Sequence, residues 1–258
     1  MAPLSAAKHS MTSLYLGLAL TIAATVNAPW GWLRALGTLV AAGAMSMMAW
    51  SIVLANRDGT FAEVAPANST PAILNGIAVV LGVGVLLLLL GVPRQFRRDG
   101  GKVPPRSTPF AYGHITRALH WASATLVIAA FTMGLFVAIL PETRPERAEF
   151  LTAHMAIGGA VFLLTFARMF ERLVRKSPPN TDVGHGAHFL LYALLVATSL
   201  TGLALATAPI RLLGLSLPNL PANPLAAPLH HVVLPLVFLV FFALHLAGAV
   251  KAMRRIAR

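Results

Sequence analysis

Four histidines are spaced so that they could hold a metal centre inside a membrane: His120, His154, His231 and His245. The chain has nine histidines in 258 residues and no cysteine, which removes disulfides, iron–sulfur clusters and thiolate metal sites from consideration. Eight of the nine lie from His114 onward. His231 and His245 are 14 residues apart. On an α-helix that separation is about 21 Å along the axis and about 40° short of whole turns, so both side chains face one side. Neutral imidazole is a common metal ligand, and the depth of each histidine decides which can share an ion.

The elements that must position these residues follow from composition. The chain is 57% hydrophobic and 11% charged, against roughly 25% charged residues in an ordinary soluble domain. A soluble globular protein is therefore excluded. Seven stretches are apolar over the length a bilayer core requires, at about residues 12–28, 35–55, 72–92, 121–140, 152–171, 187–208 and 229–249. The expected fold is an all-α membrane protein of seven transmembrane helices. Residues 1–92 form a three-helix N-terminal membrane region, 93–113 a basic linker and 114–258 a four-helix cofactor-binding domain. No internal repeat of solenoid period is present.

Charge fixes the expected orientation. The net charge is +12, from 20 Lys+Arg against 8 Asp+Glu. With seven spans and the N-terminus outside, 15 of the 20 bases fall on the cytoplasmic side, where they meet only Asp99, Glu171 and Asp182. The outer side carries Lys8, Arg57, Arg144, Arg147 and Arg211, balanced by five acids. Residues 1–28 also resemble a signal peptide, but removing them would invert every later span and place the basic linker outside. The expected topology has the N-terminus outside and the C-terminus in the cytoplasm. The basic excess then reports topology rather than a nucleic-acid partner.

Antiparallel spans put His120 and His245 near the cytoplasmic face and His154 and His231 near the outer face. Two bis-histidine pairs about 20 Å apart by helical rise suit two six-coordinate haems b. A closed zinc site wants four ligands, and each depth offers two. Arg168, 14 residues after His154, and Arg117, three before His120, lie where carboxylates of the cytoplasmic-side haem would emerge. Gly158, one turn after His154, leaves room for a flat macrocycle against the backbone. His230 competes with His231, but only His231 shares a face with His245 in a continuous α-helix. His185 and His188 are expected to form an interfacial hydrogen-bonding pair, and no catalytic residue stands out.

His120-Trp121 after Arg117, His154 with Gly158 and Arg168, the run His185 to Tyr192, and the His231–His245 separation together resemble the bacterial cytochrome b561 family over about residues 114–250. The likeness is greatest to its small four-helix di-haem members, among them superoxide:ubiquinone oxidoreductase. It implies a protein of the bacterial inner membrane with a periplasmic N-terminus, two haems b with ligand pairs His120/His245 and His154/His231, and electron transfer between quinone, ubiquinone in that member, and a donor or acceptor at the outer face. The three N-terminal spans have no counterpart in those members.

The expected function is electron transfer across the membrane between quinone and a redox protein on the outer face, as the membrane subunit of a larger complex. A self-contained oxidoreductase acting on superoxide is a rival, disfavoured because the outer loops sum to zero and offer no net attraction to an anion. A transporter or scaffold with structural histidines is the non-redox rival.

Overall fold

The computed structural model describes residues 4–25, 28, 30–57, scattered positions between 75 and 92, 106–108, 112–143, 145–175, 182–207, 209–212, 215–217 and 220–256. Six long helices are described: α1 (Leu4–Thr25), α2 (Gly31–Arg57), α3 (His114–Ile139), α4 (Pro145–Val174), α5 (Asp182–Leu205) and α6 (Leu234–Ile256). Much of the third expected span, 72–92, lies outside the described residues, although the positions described within it are helical. The linker 93–113 lies outside them except at 106–108, 112 and 113.

Among the described residues, four stretches are long and apolar enough to cross a membrane: His114–Ala138, Arg147–Val174, Gly186–Leu205 and Ala226–Gly248. Phe170, Leu173, Phe189, Val240 and Leu244 are exposed along them, as on helices solvated by lipid. Many buried positions are small, Ala122, Ala129, Ala153 and Ala160 among them, and small residues let membrane helices approach closely. Hydroxyl side chains within the apolar helices donate back to the carbonyl four residues earlier, as Ser123, Thr132, Thr165 and Thr198 do. This satisfies each hydroxyl without water.

The chain forms two compact units, Met1–Lys102 with Ile128–His154, and Val103–Val127 with Met155–Arg258. In the first, α1 packs on α2. Gly37 sits so close to Thr25 that a Cβ would collide with the Thr25 side chain, and the buried Arg34 donates to the Ala28 carbonyl at 2.8 Å. The same unit holds the α3–α4 turn. Pro145 opens α4, where its missing N–H costs nothing. Arg147 donates to the Val137 carbonyl at 3.1 Å, and Phe136 stacks on Phe150 at 4.9 Å.

In the second unit α5 packs most extensively on α6. Between them lies an antiparallel hairpin, β1 (Ile210–Leu212) and β2 (Leu215–Leu217), pairing Arg211 with Ser216. Sequence periodicity gives no warning of strands this short. Asn223 then accepts from the Leu225 N–H at 2.9 Å, just before a single α-turn, Ala226–Pro228. A π-turn, Leu229–Val233, follows before α6. Its cause is local. Pro235 has no N–H to give the His231 carbonyl and its ring crowds that oxygen, while the Leu234 N–H donates five residues back to Leu229.

A hydroxyl chain closes the other end of this unit. The Gly113 N–H donates to Ser107 Oγ at 3.1 Å, Ser107 contacts Thr116 Oγ1, and Thr116 donates to Glu171. Because Thr116 spends its proton on the carboxylate, Ser107 must donate to Thr116. Glu171 is buried and its second partner is Arg175, 3.9 Å away. Thr116→Val should therefore leave a buried carboxylate short of a donor, costing about 1–3 kcal/mol. The expected outcome is a lower Tm in detergent with cofactor content unchanged.

Candidate functional site

Within the second unit, three helices bring their histidines together. The ring centroids of His120 on α3 and His245 on α6 are 6.0 Å apart. Two imidazoles that share a metal ion through nitrogens about 2 Å from it hold their centroids roughly 6 Å apart, so the spacing suits a pair of axial ligands. His188 on α5 lies edge-on to His245 with centroids 5.3 Å apart. His188 thus contacts the pair through His245. The side chain of His185 lies outside the described residues.

Arg168 reaches the same cluster from α4. Its Nη2 is 3.2 Å from His120 Nδ1, and its guanidinium stands over the Tyr192 ring at 5.2 Å. A guanidinium can only donate, so His120 Nδ1 accepts here and the ring proton sits on Nε2. Arg117 is half-buried one turn before His120. Trp121 meets His120 edge to face at 5.6 Å. Tyr192 and His188 are four residues apart on one face of α5. That spacing is visible in the run His185 to Tyr192, and it is the signal by which Tyr192 could have been found.

His154 is held in the first unit. Its Nδ1 lies 2.8 Å from the Ala130 carbonyl. A carbonyl can only accept, so Nδ1 carries the proton and the lone pair falls on Nε2, the tautomer of an oriented metal ligand. Gly134 makes this approach possible, because a Cβ there would stand 2.9 Å from His154 Cε1. On the same helix, a Cβ built on Gly158 would meet nothing within 4 Å, so the backbone there is approachable as expected.

At the π-turn His230 and His231 differ. His230 Nδ1 lies 2.9 Å from the Thr198 carbonyl and 3.2 Å from Thr201 Oγ1, and its ring contacts Gly202. His231 is exposed. Among the described residues no group of three or more His, Cys, Asp or Glu side chains could hold a metal ion. The arrangement is one of paired imidazoles rather than a many-donor cage.

Apolar helices long enough to cross a membrane, with histidines along them, define an integral membrane protein built around intramembrane histidines. The family described as prokaryotic cytochrome b561 matches residues 111–257, more than half of the chain, and the chain belongs to that family. Its members are membrane haem b electron-transfer proteins that usually bind two haems. The chain is 30% identical over 110 residues to "Cytochrome b561 homolog 2" of Escherichia coli (strain K12), a match covering 40% of this chain and 58% of the relative. It thus spans somewhat more than half the length of that relative. No solved structure matches.

Proposed function

We propose that this chain is a di-haem b cytochrome of the bacterial inner membrane that carries electrons between quinone and a redox protein on the outer face. It does so as the membrane subunit of a larger complex. The observation that carries this reading is the 6.0 Å pairing of His120 with His245 beside Arg168. His120 and His245 would hold one haem, and His154 and a histidine of the Leu229–Val233 turn are the remaining candidate ligands. Haem, when bound, supplies an iron that alternates between ferric and ferrous and so passes one electron at a time.

The side chains have separate tasks. Arg168, whose guanidinium pairs better with a carboxylate than with a neutral imidazole, would hold a haem propionate, and His120 would ligate through Nε2 with its ring proton on Nδ1. Arg117 lies one turn from His120 and adds a second cation for the same carboxylates. Tyr192, from α5, holds the Arg168 guanidinium over its ring. His188 orients His245 by edge-on packing. The apolar helices lower the local dielectric and exclude water, which sets the iron potential together with the axial ligands.

Purification in mild detergent tests the reading. Pyridine extraction should give two haems per chain, with a Soret band and α-bands that quinol reduces, and a second protein should copurify. A chain without haem would overturn the cytochrome reading. Rapid haem reduction by superoxide in the isolated chain would instead establish the self-contained oxidoreductase.

A further inference from the structure

We propose that His230, and not His231, is the axial haem ligand supplied by the turn that precedes α6. The inference rests on the di-haem reading above and names one ligand within it.

The first argument is helical phase. In an unbroken α-helix the 14 residues from His231 to His245 put both on one face. The helix is not unbroken: Leu234 donates to the Leu229 carbonyl five residues earlier, so the turn Leu229–Val233 carries one residue more than an α-turn. His230 is 15 residues before His245, and with one residue absorbed by the π-turn it takes the phase of a 14-residue separation, about 40° from alignment. His231 takes the phase of 13, about 140° away. The face shared with His245 thus passes to His230. Exposure agrees, since His231, Val232 and Val233 are all exposed while His230 is half-buried.

The second argument is the way the ring is held. His230 Nδ1 meets the Thr198 carbonyl at 2.9 Å, and a Cβ on Gly202, four residues further along α5, would stand 2.9 Å from His230 Cε1. His154 is held in the same manner. Its Nδ1 meets the Ala130 carbonyl at 2.8 Å, and a Cβ on Gly134, four residues further along α3, would stand 2.9 Å from His154 Cε1. In both, a neighbouring helix offers a carbonyl to Nδ1–H and a glycine one turn later admits the ring. Such a bond fixes the tautomer with the lone pair on Nε2 and turns the ring as a ligand requires. Thr201 Oγ1, which donates to the Ala197 and Thr198 carbonyls, lies 3.2 Å from the same His230 nitrogen and holds it from a second side. For His231 the ring contact described is with His230 itself, edge to face at 5.6 Å.

The test uses full-length protein purified with its haem, read by pyridine extraction and by low-temperature electron paramagnetic resonance of the ferric state. His230→Ala should fall from two haems per chain to one, while His231→Ala keeps two with unchanged g-values. Two haems retained in His230→Ala, or one lost in His231→Ala, would overturn the proposal. If His230→Ala does not accumulate, His230→Met decides: a thioether ligand should give one haem an altered axial signature, and an unaltered spectrum would count against His230. A wild-type chain without haem would remove the di-haem reading itself, a result distinguishable from ligand reassignment because both variants are judged against a two-haem parent.

Discussion

His245→Ala is expected to take the protein from two haems per chain to one and to abolish electron transfer between the two faces, while the remaining haem keeps its spectrum. The size of the effect follows from the position of His245 at the meeting point of three helices. Its ring faces His120 at 6.0 Å and receives the edge of His188 at 5.3 Å, so the substitution removes one axial ligand and the surface that orients its neighbours. Haem extraction and a redox titration of the purified variant check it. His188→Ala is the companion. It should keep both haems and shift only one potential, because His188 acts through His245. If His245→Ala retained two haems, or if His188→Ala lost one, the pair would be His120 with His188 and the ligand assignment at this end would fall.

The last four expected spans were legible in the sequence because lipid imposes them: an apolar run of the required length has few structures open to it. The regions that hold His120, His154 and His245 are all helical, and the family model matches residues 111–257. Two kinds of feature were hidden. One is a change in backbone hydrogen bonding, because the π-turn Leu229–Val233 alters the phase of His230 and His231 relative to α6. Pro228 and Pro235 around His230 and His231 were the available sign, since a proline at 235 denies the His231 carbonyl its ordinary donor. The other is a polar contact between distant segments. Glu171 enters the charge count as one acid among eight, yet it terminates the chain of hydroxyls from Ser107 through Thr116. No local pattern announces a partner 55 residues away.

Gly134→Ala is expected to weaken haem binding at His154 by about 10–100-fold, the usual effect of losing an outer partner of a metal-ligating histidine. The new methyl would stand 2.9 Å from His154 Cε1 and 3.1 Å from Nδ1, too near for either ring atom. The ring must turn, and in turning it gives up the Ala130 carbonyl that fixes its tautomer. The helix itself gains from alanine by about 1 kcal/mol, so a loss of haem could not be blamed on a weaker α3. Gly158→Ala, on α4, provides the contrast. A methyl there meets no protein atom within 4 Å, so haem loss in that variant would come from the macrocycle needing the space. Titrating haem into each depleted protein separates the two mechanisms. Gly134→Ala should be relieved by excess imidazole, which replaces a misdirected ligand, whereas Gly158→Ala should not, because imidazole does nothing for a steric block at the ring edge. Full haem retention in Gly134→Ala would mean that His154 does not need the Ala130 carbonyl, and the orienting role given to that bond would have to be withdrawn.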